Sequence, residues 1–529
     1  MFALTPLEAA IAIVYSTASL LLFIFGVNLV VFVVRVWRNG PVEPKPLDLR
    51  DHDDLPLVTV QLPIYNELYV SERVIKAVSA LDYPADKLQI QVLDDSTDET
   101  TTLISHVVAE LQADGVDIVH LHRTDRSGYK AGALAEGMKS ATGEFVAIFD
   151  ADFVPPADFL LRTIPEFKSP DVAFVQGRWG HLNRNYSWLT RVQALTIDGH
   201  FLVEQAGRGL AGYWFNFNGT AGIWRAEAIE DAGGWTSETL TEDLDLSYRA
   251  HLKGWVARYL PDLIVPAELP VQLLGFRRQQ HRWARGSMEC ARKLLPAVWR
   301  TDAKVGTKFQ ATVHLLAYGI HLLLLVLLLI YPLVVQVGSS NDGFSTLYGV
   351  GYVLALTSLA PAIFFIAGQR QGGRRWVKEI PRIMLVTVFG SGLMLNTARA
   401  FLQIFTKPNP EFERTAKFGL AEEPDRSGWA KRRYQLDIDR IVFAELALGL
   451  YGSVVVWFAF AHDNLGILIY AGIFSAGLLF MAIASIAHAV ASHRGRFDRK
   501  AQLLIERQTW TTEPASTTDS TTGESPVRK

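Results

Sequence analysis

The sequence predicts an α/β domain with a mostly parallel sheet, joined to an α-helical transmembrane domain. Three observations lead there. Charge is dense from Arg35 to Lys308 and sparse over several long apolar runs outside that stretch. Between residues 57 and 262, short β-branched runs alternate with helical patterns, as in a sheet covered on both faces. Residues 11–34 carry no charge and exceed the roughly 20 apolar residues that cross a bilayer core.

Composition narrows the function classes. The chain has 529 residues, too many for one ordinary core, so at least two structural units are expected. A net charge of -3 points to no nucleic-acid partner. Cys290 is the only cysteine, which excludes an intramolecular disulfide and a cysteine-rich zinc site.

Residues 1–39 read as a transmembrane helix. A cleaved signal peptide is the rival, but it wants basic residues before the apolar run. Here Glu8 precedes the run, and Arg35 and Arg38 follow it. Basic residues on that side place the N-terminus outside and the following domain in the cytoplasm. Residues 40–56, rich in Pro and Asp, form a linker.

Strands are expected at 58–63, 88–93, 118–121 and 145–149, with a helix at 71–81. Ligands of open α/β sheets sit at the carboxyl ends of strands. Asp94 and Asp95 end one predicted strand; Asp150 and Asp152 end another. Two carboxylates at alternate positions can aim at one hard cation. Such an ion neutralises the charge of a leaving diphosphate. Asp94 and Asp95 can equally well cap the following helix with Ser96 to Glu99.

Thr241, Glu242 and Asp243 open a predicted helix at 244–252. A plain N-cap is one reading. The other makes Asp243 a general base, because the Gly-rich aromatic stretch 215–224 precedes it and can bring backbone close to a sugar ring. Farther on, Gln279, Gln280, His281, Arg282 and Trp283 lie in a basic helix at 275–295. It suits a membrane surface, a diphosphate contact through Arg282, or both.

Together these motifs resemble the processive inverting glycosyltransferases of family two, and within them the cellulose synthase-like A and C group, which makes β-mannan and β-glucan. The carrying residues are Asp94-Asp95, Asp150-x-Asp152, Thr241-Glu242-Asp243 and Gln279-Gln280-x-Arg282-Trp283, with Leu62 to Glu67, Gly128 to Leu134 and Asn218 to Gly222 in support. The resemblance implies a GT-A-like fold and a role for each matched position. Tyr65 and Glu67 line the nucleoside pocket, and Asp94 and Asp95 bind the nucleotide-sugar with Lys130 nearby. Asp150 and Asp152 hold Mg²⁺ or Mn²⁺. Asp243 is the base, supported by Glu242. Gln279 and Arg282 bind the diphosphate, and Trp283 binds the acceptor. Gln176 to Trp179 sit where relatives carry an acceptor-contacting motif, with different residues. Phe412, Thr415 and Lys417 resemble a gating loop over the donor, with Arg414 where relatives have Val; a basic membrane-surface loop is the other reading.

The catalytic domain is expected at 57–310 and the membrane region at 311–493. Segments 315–337, 346–367, 441–461 and 465–491 can span. Segment 383–398 is short and flanked by basic residues on both sides, so it is expected to lie in the interface within 380–402 or to re-enter, rather than to cross, and to be followed by the loop 403–440. That makes five crossings. Glu445 within a span requires a protein partner. The cytoplasmic tail 494–529 is expected to be largely disordered. The predicted protein is a multi-pass enzyme of the plasma (inner) membrane. It moves a hexose from GDP-mannose or UDP-glucose to a growing β-linked glycan that it translocates across the membrane, or alternatively to a diacylglycerol or other lipid acceptor, with accessory subunits left open.

Overall fold

The computed structural model describes residues 5–40, 55–340, 355–406, 412–420 and 428–512. Most of the predicted linker, the start of the predicted span at 346–367, and the tail beyond residue 512 lie outside the described residues.

Seven strands form one sheet: β1 Val58–Ile64, β2 Leu88–Asp94, β3 Ile118–His122, β4 Phe145–Ile148, β5 Val172–His181, β6 Gly222–Arg225 and β7 Val256–Ala267. Their order is β3-β2-β1-β4-β6-β5-β7. β1, β2, β3 and β4 run parallel, as do β5 and β7; β6 is antiparallel to both of its neighbours. The four strands expected from sequence form the parallel half. The other three complete the sheet.

Alternation along the strands builds two cores. Phe145, Ala147 and Phe149 face one side with Val60, Leu62 and Ile90. Val146 and Ile148 face the other with Phe174, Phe217 and Trp224. Both faces are covered, so polar side chains in the central strands must pair. Gln61 Nε2 donates to Gln91 Oε1 at 3.0 Å, and Gln91 Nε2 to Ser140 Oγ at 3.2 Å. The helix Tyr129–Met138 lies so close here that a Cβ on Gly137 would stand 2.5 Å from Gln61 Nε2.

Among the described residues, five helical runs are long and apolar enough to cross a membrane: Pro6–Arg38, Gly319–Ser339, Trp376–Thr406, Ile441–Ala461 and Leu465–His493. A capping box starts the first, with Thr5 N donating to Glu8 Oε2 at 2.7 Å and Glu8 N to Thr5 Oγ1 at 3.3 Å. The last helix continues as Leu465–Thr512, well into the stretch expected to be a disordered tail.

The run Trp376–Thr406 is longer than the apolar core 383–398 read from sequence, and it is broken into Ile380–Ser391 and Met394–Thr406. The break falls at Ser391-Gly392, a pair suited to a kink. There the chain presses on the last helix: a Cβ on Gly392 would lie 2.3 Å from the Gly477 carbonyl oxygen. Both flanks of this run touch the α/β domain. Arg374 pairs with Asp198 before it, and Arg414 and Lys417 pair with Glu67 and Asp152 after it.

Candidate active site

One cleft at the carboxyl ends of the strands collects most of the predicted site residues. Lys130, Asp150, Asp152, Glu242, Asp243, Gln279, Arg282, Trp283, Phe412 and Lys417 all line it. They come from five stretches far apart in the chain.

The floor is the turn after β4. Thr220 Oγ1 accepts from Asp150 N at 2.9 Å and fixes the turn. Each aspartate carries one ammonium partner. Lys130 Nζ is 2.5 Å from Asp150 Oδ1 and 2.8 Å from the Gly219 carbonyl, while Lys417 Nζ bonds Asp152 Oδ2. Two hard oxygen donors, two residues apart, facing cations across a cleft, suit Mg²⁺ or Mn²⁺ completed by diphosphate oxygens and water.

Asp243 lies in the first turn of the helix Glu242–Leu252, where Leu244 N donates to its Oδ1 at 2.8 Å. Burial, and next the neighbouring Glu242 charge, push its carboxyl up to about 7 against the pull of Lys130. Gly219 is the reason the carboxylate fits. Its φ of +77° is a left-handed conformation, and a Cβ there would stand 3.1 Å from Asp243 Oδ2. Thr241 stands at the N-cap of this helix but makes no side-chain capping bond to it. Its side chain packs instead on Gly286 of the helix Leu273–Arg300, where a Cβ would come within 2.5 Å of Thr241 Cγ2. That helix also delivers Gln279, Arg282 and Trp283 to the cleft.

The segment 412–420 closes one side. Arg282 NH1 donates to the Glu413 carbonyl at 2.9 Å and its guanidinium stacks 4.4 Å from the Phe412 ring centroid. Lys417 Nζ also donates to the Glu268 carbonyl at 2.5 Å, and Phe418 N to Glu268 Oε1 at 2.9 Å. Thr415 is buried in the same segment.

The predicted nucleoside residues form a neighbouring group. Arg126 sits 3.5 Å over the Tyr65 ring and 4.9 Å from that of Tyr129, which stacks on Phe412 at 5.9 Å. Asp95 takes a two-point contact from Arg123 at 2.7 and 2.6 Å. Glu67 pairs with Arg414 at 3.0 Å, and burial pushes its carboxyl up to about 7.

Asp94 is not brought into the cleft. Its fully buried carboxylate accepts from Ser96 N at 2.8 Å and meets His120 Nε2 at 3.0 Å and His122 Nδ1 at 3.2 Å. Burial opposes its charge, yet the bonds from His120 and Ser96 hold it down to about 2. Sequence reasoning passed over other cleft residues, among them His181 and Glu268. Trp179 and Asn218, also in the cleft, carried a signal inside the motifs 176–179 and 218–222.

The family described as "Glycosyltransferase like family 2" matches residues 56–286. Probable glucomannan 4-beta-mannosyltransferase 15 of Arabidopsis thaliana is 37% identical over 388 residues, covering 69% of this chain and 71% of that protein. Glucomannan 4-beta-mannosyltransferase 1 of Oryza sativa subsp. japonica is 42% identical over 311 residues, 56% of this chain and 60% of that one. Probable glucomannan 4-beta-mannosyltransferase 10 of Arabidopsis thaliana is 43% identical over 295 residues, and the match spans 53% of each protein, about half the length of that relative. Among solved structures, mannosyltransferase PcManGT from Pyrobaculum calidifontis in complex with GDP-Man and Mn²⁺ is 24% identical, with a TM-score of 0.45, over 68% of this chain and 97% of that one.

Proposed function

We propose a reaction for this chain, which belongs to the family-two glycosyltransferases of the cellulose synthase-like type: it moves a hexose, with inversion, from a nucleotide-sugar to the end of a growing β-linked glycan. The observation that carries this reading is the convergence of Asp243, Asp150, Asp152, Arg282 and Trp283 on one cleft.

The chemistry follows from the groups present. The Asp243 carboxylate takes the proton from an acceptor hydroxyl. The freed oxygen attacks the anomeric carbon from the face opposite the diphosphate. The bond from that carbon to the diphosphate breaks, and its electron pair leaves with the nucleoside diphosphate. Arg282 and Lys130 offer charged donors to the departing phosphates. Asp150 and Asp152 would hold a divalent cation, which when bound neutralises the diphosphate charge. Trp283 gives an apolar face to the acceptor ring.

The relatives' names favour mannose, so GDP-mannose is the first donor to test and UDP-glucose the second. The contacts of both flanks of Trp376–Thr406 with the α/β domain support an interface or re-entrant segment, and with it five crossings; the cytoplasmic side for the catalytic domain rests on Arg35 and Arg38 after the first apolar run. Glu445 supports the same arrangement, because its partner Arg277 belongs to the basic helix.

The test is donor competition in vesicles carrying the protein, with labelled GDP-mannose and UDP-glucose, followed by product sizing. A polymer from either donor is the expected product. A product that extracts with lipid would move the reading to the glycolipid acceptor. No transfer and no donor hydrolysis would exclude the reaction.

A further inference from the structure

β3 ends the sheet, and its neighbour there is β2. The parallel register sets Asp94 opposite His122 and Val92 opposite His120. Paired residues of parallel strands leave the same face, and so do residues two apart on one strand. Asp94, His120 and His122 therefore rise from one side of the sheet. It is the side of the helix Thr100–Ala113, whose Ser105 Oγ is 3.2 Å from His120 Nδ1.

The three side chains meet at a point. Asp94 Oδ2 is 3.0 Å from His120 Nε2 and 3.2 Å from His122 Nδ1. All three donor atoms lie within 4.8 Å of one another, and among the described residues no other three His, Cys, Asp or Glu side chains do so. A zinc ion about 2.0–2.1 Å from each of four tetrahedral donors sets those donors about 3.3 Å apart. Both edges that meet at Asp94 Oδ2 stand close to that length. The far sides of two donors are held as well: Ser96 N donates to Asp94 Oδ1 at 2.8 Å, and Ser105 meets the other nitrogen of His120. Outer bonds of this kind orient metal ligands. The Asp94 side chain is fully buried, that of His120 is 14% exposed and that of His122 36%. The cluster opens to solvent on the His122 side, which gives water access to a fourth position. None of the three residues lines the cleft.

We propose that Asp94, His120 and His122 form a metal site separate from the Asp150–Asp152 pair, that it takes Zn²⁺ with water as the fourth ligand, and that the ion staples the edge strand β3 to β2. Two imidazoles and one carboxylate suit zinc, whereas Mg²⁺ and Ca²⁺ prefer an all-oxygen set. The staple lies next in sequence to two residues of the nucleoside group. Asp95 follows Asp94, Arg123 follows His122, and these two make the two-point contact at 2.7 and 2.6 Å. An ion that binds the paired strands and not the unfolded chain stabilises the fold in step with its concentration.

The test uses the full chain in lipid nanodiscs, stripped with a chelator and returned to buffer containing millimolar Mg²⁺. ZnCl₂ is titrated by equilibrium dialysis, and the thermal midpoint is followed alongside. Wild type should take up one Zn²⁺ per chain that His122→Gln does not, and its midpoint should rise with occupancy. His122→Gln keeps a side-chain donor for Asp94, so its metal-free midpoint should stay near that of wild type while its zinc affinity falls at least tenfold. Co²⁺ in place of zinc reports the geometry, and wild type should show the strong visible bands of a tetrahedral ion. His122→Cys should keep the ion and add a sulfur-to-cobalt band in the near ultraviolet, a signature that a hydrogen-bonding role cannot produce. Equal zinc uptake by wild type and His122→Gln overturns the site, as does no uptake by wild type. If His122→Gln does not fold, His122→Cys decides alone, and the lack of a sulfur band overturns the site. None of these readouts needs transfer of a sugar, so failure here and failure of the proposed reaction are told apart.

Discussion

Arg277 of the basic helix and Glu445 of the helix Ile441–Ala461 form a two-point ion pair, at 2.8 and 2.7 Å, with Glu445 fully buried. Arg277 NH1 also donates to Ser485 Oγ at 2.8 Å on the last helix. One guanidinium thus ties the helix that carries Arg282 and Trp283 to two apolar helices. It also answers the cost that a lone glutamate would impose in a span. Removing one partner strands a buried charge, at about 3–5 kcal/mol. Glu445→Ala should therefore lower the thermal midpoint in detergent far more than the double change Arg277→Met, Glu445→Leu. A double variant no more stable than the single one would contradict this.

Asp243→Asn keeps the size of the side chain and removes the proposed base. Turnover should fall at least about 10²-fold while nucleotide-sugar binding stays within threefold. Single-turnover kinetics with a separate donor-binding titration check both halves.

The raised Asp243 carboxyl sets a pH limb. A general base works ionised, so with Asp243 in the proposed role kcat/KM should climb about tenfold per unit below pH 7 and level off above it. Lys130 holds this group down, so Lys130→Met should move the limb to higher pH. Stability has the opposite sign. The native carboxyl, at about 7, binds its proton more tightly than an unfolded one at 3.8, so its contribution is lost as pH rises through that window. Asp243→Asn should accordingly melt higher than wild type at pH 8 and no higher at pH 4.

Gly219→Ala adds a methyl group 3.1 Å from the Asp243 oxygen, at a φ of +77°. Left-handed backbone costs an alanine about 1–2 kcal/mol. The methyl must also displace either the carboxylate or Lys130. Activity should drop at least about tenfold with expression retained, measured as transfer per unit of folded protein; full activity would refute the tight fit.

Lys417 bonds the Asp152 carboxylate that a divalent cation would use. Chelation with EDTA should abolish transfer, and Mg²⁺ or Mn²⁺ should restore it. Lys417→Met removes the competing ammonium, so half-activation should need several-fold less metal, while the donor KM rises as the segment 412–420 loosens. A metal titration of both proteins checks this.

Much of the site was legible because its chemistry is local. Asp150 and Asp152 stand at alternate positions after an apolar strand, a spacing that carries its own geometric meaning. Thr241 to Asp243 and Gln279 to Trp283 are continuous motifs. Asp94 was grouped with Asp95 by adjacency, although neighbouring residues on a strand face opposite sides; Asp95 turns to Arg123 and Asp94 to two histidines. β5 was missed as a strand because Gly177 and Gly180 interrupt its apolar pattern, and packing supplies the reason for them: a Cβ on Gly180 would lie 2.7 Å from Ile264 Cγ2. The His181–Asp198 contact joins a strand to a helix, and no spacing rule marks it. The broken run Trp376–Thr406 depends on glycine contacts with a helix far down the chain.

The segment 412–420 seals the cleft from outside the sheet that built it, since Lys417 and Phe418 both anchor on Glu268. A truncated enzyme ending near residue 310 would keep every carboxylate of the cleft and lose its roof. Asp152 and Glu268 would then face bulk water, and any nucleotide-sugar bound there would be open to hydrolysis rather than transfer. Catalysis and membrane attachment are therefore one engineering problem in this chain, and a water-soluble version has to bring its own cover.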